Sequence, residues 1–207
     1  MEKTHLRRHG AAEEIIGDLM ERTPCGRIFV QSSGSYSGYV QGTRDDSGRY
    51  FVSPDLDSAL KVKFQDQTII LDHEFQNGFP RLGATFGLVV DSAVGQDNMA
   101  GNSFNYAYIS ATGELHKAGD PATTDSSSFN TAFGTNQHVE SAIFTLGDNG
   151  EILASWTNTN GQTLPVQFAM SLNRQLVISA NSGAYSARFG GESAPSARLF
   201  CRANDHP

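Results

Sequence analysis

The side chains best suited to hold a ligand lie around the single tryptophan of the chain. Trp156 is followed closely by Asn158 and Asn160, in a segment that ends in an Asn-Gly turn. A sugar needs an aromatic ring for its C–H face and amide partners for its hydroxyls, held on loops of a rigid scaffold. These residues predict a carbohydrate-binding site. The alternative is that Trp156 is a core residue at the end of a hairpin strand.

A second aromatic candidate lies in the middle of the chain. Tyr106 and Tyr108 alternate within an apolar and aromatic run over residues 104–110. Alternate residues of a β-strand point to the same face of the sheet, so the two rings lie on one face. They form either a second carbohydrate-binding surface or an aromatic inner face.

Acidic residues provide the catalytic alternative. Glycosidases on β-sandwiches use two facing carboxylates, one as acid and one as base or nucleophile. The candidates are Glu74, Glu114, Glu140 and Glu151. Glu140 precedes a predicted strand and Glu151 follows a predicted turn, which are positions where solvated side chains are usual.

Other catalytic chemistries lack their motifs. The chain has no Gly-x-Ser-x-Gly sequence, where x is any residue, to present a serine nucleophile. His73, His116 and His138 are far apart in the sequence and have no helical pairing. The sequence therefore predicts no catalytic serine, no metal site and no cofactor.

The two cysteines, Cys25 and Cys201, stand at opposite ends of the strand-rich part of the chain. We expect them to form a disulfide that closes a very long loop and indicates an oxidising compartment. The alternative is two free buried thiols. The pair lacks the Cys-x-x-Cys spacing of a zinc site.

Charge and hydropathy exclude two classes of partner. The formal net charge is −7, and the chain has no cluster of lysines and arginines large enough to grip phosphates. Nucleic-acid affinity comes mainly from such residues, so we expect no nucleic-acid partner. No stretch approaches the roughly 18 consecutive apolar residues of a membrane-spanning helix.

From Cys25 onward the pattern is typical of short strands separated by turns. Residues 60–64 alternate strictly between apolar and lysine side chains, and Asn149-Gly150 supplies a type I′ hairpin turn. About twelve strands, the last ones at 165–170, 176–180, 184–189 and 197–201, surround a long polar loop at 117–137. This predicts one all-β domain over residues 23–205, an antiparallel β-sandwich of the jelly-roll kind, with a β-trefoil as the alternative.

One helix is predicted, over residues 11–22, with isoleucine, leucine and methionine on one side and acidic residues on the other. Residues 1–22 therefore form an N-terminal helical segment or a pro-like extension. A helix this short is marginal alone. It either docks on the β domain or pairs with a second copy, which would give a homodimer.

Several short segments resemble small secreted proteins of mushroom-forming fungi. These segments are Cys25-Gly26-Arg27-Ile28, Gly38-Tyr39-Val40, Gly101-Asn102-Ser103-Phe104-Asn105-Tyr106, Glu140-Ser141-Ala142-Ile143-Phe144 and Trp156-Thr157-Asn158-Thr159-Asn160-Gly161. The resemblance covers roughly residues 25–201 and implies a basidiomycete source, secretion and a fold framed by cysteines. The group has no defined activity, so it transfers no catalytic residues.

Taken together, the residues favour a secreted, non-enzymatic binding module, lectin-like, with a carbohydrate as its ligand. The alternative is a hydrolase or lyase that acts on polysaccharide through paired carboxylates. The first ten residues lack the apolar core of a signal peptide. The prediction of secretion therefore rests on the cysteines and on the resemblance.

Overall fold

A computed structural model describes residues 25–34, 36–190 and 194–203 of the chain, and all pairings between the named strands of this part are antiparallel. The helix predicted over residues 11–22 lies outside the described residues. The strands are β1 (Arg27–Ser32), β2 (Gly38–Val40), β3 (Val52–Ser53), β4 (Val62–Gln65), β5 (Thr68–Leu71), β6 (Arg81–Phe86), β7 (Tyr106–Thr112), β8 (Thr123–Thr124), β9 (His138–Glu140), β10 (Phe144–Leu146), β11 (Glu151–Thr157), β12 (Thr163–Met170), β13 (Leu176–Ser179) and β14 (Ser196–Arg202).

All fourteen strands belong to one hydrogen-bonded sheet. Its main path runs β3-β2-β1-β14-β11-β12-β13-β7-β6-β5-β4, while β10 pairs with β11, β9 with β6, and β8 with β9. The sheet curls so far that Val62 at the start of β4 donates its N–H to the carbonyl of Gly26 beside β1, at 3.0 Å. The all-β prediction is confirmed. Neither the sandwich nor the trefoil is confirmed, because the strands form one curled sheet.

Local sequence patterns account for most of these strands. In β14 the buried residues Ala197, Leu199 and Cys201 alternate with exposed or half-exposed ones, as expected for a strand with one wet face. The predicted hairpin between β10 and β11 is confirmed, but its loop is longer than a two-residue type I′ turn, because Gly147 donates to the Glu151 carbonyl at 2.7 Å and three residues lie between them. Asn149 and Gly150 adopt positive φ angles of 58° and 74° in the turn, the conformation that Asn-Gly favours.

The apolar core fills the inside of the curl. Among its largest fully buried side chains are Trp156, Tyr50, Phe86 and Phe144. The segment that carries Tyr50 is hydrogen-bonded to both β7 and β13, and this places the Tyr50 side chain in the core. Its N–H donates to the carbonyl of Ile109 in β7, and its carbonyl accepts from the N–H of Leu176 in β13, both at 3.0 Å.

The predicted disulfide is confirmed between Cys25 and Cys201, which are 176 positions apart in the sequence. Register explains why they meet. Strands β1 and β14 are antiparallel neighbours, with Ile28 directly opposite Cys201, so the first and last strands of the sheet lie side by side. The bridge therefore joins two elements that the sheet already places together.

Two short helices contradict the strand-only expectation. Helix α1 (Ser128–Phe133) lies within residues 117–137, which were predicted as loop, and α2 (Ser182–Phe189) replaces the strand predicted at 184–189. Both begin at a capping side chain. Ser127 accepts from the N–H of Asn130, and Asn181 accepts from the N–H of Ala184. Such caps satisfy backbone donors at a helix start that otherwise have no partner.

Candidate functional site

The predicted carbohydrate platform at Trp156 is wrong, and the core alternative is confirmed. Trp156 is fully buried, with 0% of its surface exposed. Its indole N–H donates to the carbonyl of Asp97 at 3.1 Å, and its ring lies 5.8 Å from that of Phe86. Because both faces of the ring are inside the protein, Trp156 presents nothing to a sugar.

The two asparagines after Trp156 hold the chain in place. Asn158 is buried, accepts from the N–H of Met99 at 2.7 Å and donates to the carbonyl of the same residue at 2.9 Å. Asn160 is exposed, and its side chain accepts from the N–H of Gln162 within the turn. Asn158 is therefore a structural link between two loops, and Asn160 stabilises a tight turn.

Tyr106 and Tyr108 do lie on one face of β7, as predicted, but helices cover that face. Tyr106 packs against Tyr185 and Phe189 of α2, with ring centroids 5.2 and 5.0 Å away. Burial raises the pKa of Tyr106 strongly, and the neighbouring Tyr108 adds to the effect. The Tyr108 ring lies between Phe129, which stacks at 5.0 Å, and the guanidinium of Arg49 at 4.8 Å. The pair belongs to a second small core.

A cleft with the composition of a ligand site lies elsewhere, where two loops meet helix α1. We call it the Arg44 cleft, and its volume is about 540 Å³. Its lining combines two phenylalanines with hydroxyl, amide, carboxylate and guanidinium groups. The lining residues are Gly42, Thr43, Arg44, Asp45, Asp46, Gly48, Glu74, Phe75, Asn77, Phe79, Ser128, Thr131 and Ala132.

Arg44 occupies an unusual position in this cleft. Its guanidinium carbon lies 5.9 Å from the centre of the Tyr50 ring and 5.8 Å from that of Phe79, so the cation packs near two aromatic rings. The Arg44 Nη1 and the Tyr50 hydroxyl are both buried, and neither has a hydrogen-bond partner of normal geometry among the described residues. Buried polar atoms are nearly always paired, so these two stand out.

The ionisation of Tyr50 follows from this environment. Burial raises the pKa of Tyr50 to about 12, and the positive charge of Arg44 and its polar contact with the phenol oxygen oppose the rise. The phenol therefore stays neutral at physiological pH. A neutral hydroxyl both donates and accepts hydrogen bonds, whereas the guanidinium only donates.

The loop that carries Arg44 is fixed by Asp45. The Asp45 Oδ1 accepts from the N–H groups of Ser47 and Arg49, and its Oδ2 accepts from Gln175 at 2.8 Å. Gly48 closes this loop at φ 72°, and a Cβ there would lie only 2.2 Å from the Ser128 carbonyl oxygen. Glycine is therefore required where the loop approaches α1.

The opposite wall is held just as firmly. The ring of Phe75 packs directly on Gly42, where an added Cβ would lie 2.0 Å from the ring. Lys61 lies over the same ring at 5.9 Å and forms a 2.6 Å ion pair with Glu74. Both walls of the cleft are thus built before any ligand arrives.

Charges in and beside the cleft balance. The Asp45 carboxylate is paired with Arg49 at 3.1 Å, and Glu74 is paired with Lys61. Counting these partners, the groups are three cations and three carboxylates. They are Arg44, Arg49, Lys61, Asp45, Asp46 and Glu74. A balanced polar lining with aromatic walls suits an uncharged, hydroxyl-rich ligand better than an ion.

The four candidate catalytic glutamates lie in different surroundings. Glu74 lines the Arg44 cleft, Glu114 is exposed, and Glu151 lies on the outer face of the sheet, paired with Arg198 at 2.6 Å. Glu140 is buried and accepts from the N–H of Thr157 at 2.8 Å. Burial raises the pKa of Glu140 to about 8, which the Thr157 N–H opposes.

Two of the three internal histidines lie near an aspartate, a different one in each case, and the third is exposed. His138 Nδ1 lies 3.0 Å from Asp97 Oδ2, and His116 Nε2 lies 3.5 Å from Asp125 Oδ2. His73 is exposed at the start of the loop that carries Phe75. Within the described part of the chain, no three histidine, cysteine or acidic side chains come close enough to hold a metal ion.

Comparison of the chain with protein-family models, curated proteins and solved structures finds no match. Over residues 25–34, 36–190 and 194–203, no helix has both the length and the apolar character to cross a bilayer.

Sequence analysis missed the Arg44 cleft because its parts are far apart in the chain. Residues 45–48 and 77–80 have the aspartate, asparagine, glycine and proline typical of turns, yet nothing local indicates that they face each other. The signal that was available is the combination of arginine and phenylalanine within turn-rich segments. That combination gains meaning only once the curl of the sheet brings the segments together.

Proposed function

We propose that this protein is a non-enzymatic carbohydrate-binding module and that a neutral oligosaccharide binds in the Arg44 cleft. One observation carries the proposal. Arg44 lines an aromatic-walled cleft, and its buried Nη1 has no hydrogen-bond partner of normal geometry among the described residues. An incoming oxygen acceptor would satisfy the guanidinium, and a sugar hydroxyl is such an acceptor.

The remaining lining supplies what a sugar needs. The Phe79 ring offers a face for C–H groups, and Asn77, Thr43 and Thr131 offer amide and hydroxyl partners. Asp46 adds an acceptor for sugar hydroxyls. The residues are held by Asp45, Gly48 and Gly42 as described above, so little ordering entropy is lost on binding.

The hydrolase alternative has weaker support. A glycosidase acid must keep its proton at the working pH, which requires a raised pKa. Among the described carboxyl groups this holds for Glu140, which does not line the cleft. Within the cleft, Asp45 and Glu74 are already ion-paired. The cleft is therefore better equipped to bind than to cleave.

Secretion belongs to the same proposal. The Cys25–Cys201 disulfide supports it, because such bonds persist in oxidising compartments. The fungal source implied by the resemblance stays a prediction. So does a homodimer through residues 11–22.

The test is a glycan array of neutral oligosaccharides from fungal, plant and bacterial cell walls, followed by calorimetry on the strongest ligand. Ala132→Arg places a long side chain in the cleft from the exposed side of α1. Ala187→Arg makes the same change on the exposed side of α2, outside the cleft lining, and is the matched control. We expect Ala132→Arg to weaken binding by at least about tenfold and Ala187→Arg to leave it unchanged.

Two results would contradict the proposal. One is the absence of binding to every neutral glycan on the array. The other is binding that survives Ala132→Arg in protein whose thermal unfolding matches that of the unsubstituted chain.

A further inference from the structure

A row of aromatic side chains crosses the outer face of the sheet. Tyr39 in β2 lies directly opposite Phe29 in β1, Phe29 lies opposite Phe200 in β14, and Phe200 lies opposite Glu151 in β11. Each ring is half-buried, and Phe29 and Tyr39 meet edge to face at 5.4 Å. Directly opposed residues on neighbouring strands share one face, so the four form a line across the strands.

Arginines flank this row on both sides. Arg202 lies 5.7 Å from the centre of the Phe29 ring and 5.6 Å from that of Phe200. Arg198 lies 5.1 Å from the centre of the Phe200 ring and forms a bidentate salt bridge with Glu151. We call this surface the arginine–aromatic face. It consists of Arg27, Phe29, Tyr39, Glu151, Arg198, Phe200 and Arg202.

The positive charge of this face is not neutralised by its described surroundings. Arg27 and Arg202 lie directly opposite each other on β1 and β14. No described carboxylate lies within 4.0 Å of either guanidinium. In addition, the Arg27 Nε is buried and has no hydrogen-bond partner there. Two like charges placed opposite each other on a sheet are unfavourable unless an anion lies near them.

The row also continues beyond its last ring. Glu151 and Arg198 line a groove of about 370 Å³ whose floor includes Val166 and Phe168. The exposed Leu153 forms part of the same groove. The surface is therefore elongated, which suits a polymer better than a single small anion.

We propose that the arginine–aromatic face binds an acidic polysaccharide, a chain of sugar rings that carry carboxylates. The rings of Tyr39, Phe29 and Phe200 contact the apolar edges of successive sugars, and Arg27 and Arg202 pair with their carboxylates. Arginine suits this role because its planar guanidinium matches a carboxylate and also stacks on aromatic rings. No residue of this face lines the Arg44 cleft, so the site is separate from the one proposed above.

The same groups fit single-stranded nucleic acid less well. Nucleic-acid bases stack on free aromatic faces. Here Arg198 lies over the Phe200 ring and Arg202 lies over the Phe29 ring. The rings of Phe29 and Tyr39 contact each other edge to face.

The experiment measures binding of sodium polygalacturonate oligomers by calorimetry at low ionic strength. The same oligomers with fully methyl-esterified carboxylates keep the rings and remove the charge. Arg202→Gln removes one exposed guanidinium of the face. Arg188→Gln removes an exposed guanidinium that lies over Phe104 and Phe189 elsewhere on the surface, and it is the matched control.

We expect binding to the acidic oligomers, roughly tenfold weaker binding for Arg202→Gln, and less than about twofold change for Arg188→Gln. The methyl esters should not bind, and Ala132→Arg should bind the acidic oligomers normally. That last result separates this proposal from the cleft proposal.

Three outcomes would overturn the inference. The first is no binding to polygalacturonate. The second is equal weakening by Arg202→Gln and Arg188→Gln. The third is equal binding of polyglutamate or oligodeoxythymidylate, since that would show attraction to charge alone or to nucleic acid. A second variant, Phe29→Leu, removes an aromatic ring and leaves the charge of the face unchanged. It should weaken the binding of polygalacturonate and leave the binding of polyglutamate unchanged.

Discussion

The turn after Trp156 and the Arg44 cleft contain similar groups but use them differently. Both combine a large aromatic residue with polar side chains on loops. At the turn, the polar atoms of Trp156 and Asn158 have protein partners inside the molecule. At the cleft, the Arg44 Nη1 has no partner of normal hydrogen-bond geometry among the described residues.

This difference separates residues that hold the fold from residues available to a ligand. A buried polar group that is fully paired contributes to stability, and removing its partner is costly. A buried donor without a partner lowers stability, and a ligand that supplies an acceptor removes that cost. Hydrogen-bond satisfaction is therefore a better guide to the binding site here than the identity of the aromatic residue.

The largest expected effect is on stability at the turn. Trp156→Ala should lower the free energy of unfolding by about 3–5 kcal/mol, because it opens a cavity and leaves the Asp97 carbonyl without its donor. Phe79→Ala, at a half-buried loop position, should cost only about 1 kcal/mol. Urea unfolding followed by circular dichroism measures both.

For ligand binding we expect the opposite order. Phe79→Ala should cost less stability than Trp156→Ala but should reduce oligosaccharide binding more in protein that remains folded. Folded Phe79→Ala protein should no longer bind the neutral oligosaccharide, because Arg44 loses one of its two aromatic neighbours. Equal loss of stability from the two substitutions would remove the distinction between the turn and the cleft.

The second expected effect concerns the buried carboxyl beside the turn. Burial raises the pKa of Glu140 to about 8 from 4.5, so the folded state holds a proton that the unfolded state releases. The stabilising effect of the neutral carboxyl is complete below about pH 4.5 and is lost as the pH rises toward 8. Glu140→Gln keeps an acceptor for the Thr157 N–H and cannot ionise.

The variant should therefore gain stability relative to the unsubstituted chain as the pH rises from 4.5 to 8, by roughly 4 kcal/mol. Urea unfolding at several pH values measures this difference, and other titrating groups cancel in it. A difference that stays constant with pH would show that Glu140 titrates normally.

The smallest expected effect is at the buried Tyr50 hydroxyl beside Arg44. Tyr50→Phe removes only the oxygen that has no described partner, so the free energy of unfolding should change by less than about 1 kcal/mol. A loss of stability comparable to that of a paired buried hydroxyl would show that Tyr50 has a partner and that the cleft resembles the turn.

Features encoded by neighbouring residues were predictable from the sequence. The Asn149-Gly150 turn and the alternation in β14 depend on local backbone preferences and on period-two burial. The disulfide was predictable because its cysteines frame the strand-rich region. The helix at 182–189 was not, since its aromatic residues equally suit a strand and the deciding cap, Asn181, is one polar side chain.

The candidate site was beyond sequence analysis for a physical reason. Arg44 and Phe79 come together because β4 and β5 curl back toward β1, and that curl depends on long-range register. Trp156 was misassigned because the indole N–H partner that buries it, the Asp97 carbonyl, lies 59 residues away. Composition near a residue does not reveal such a partner.

The covalent bridge at the seam between β1 and β14 also determines how the protein bears mechanical load. A pull applied to the chain before Cys25 and after Cys201 passes through one covalent bond, and the strands between them carry no tension. With the bond reduced, the same pull would peel β1 from β14 one hydrogen bond at a time, starting where Gly26 donates to the Arg202 carbonyl. Oxidation thus makes the domain a rigid link that transmits tension without unfolding.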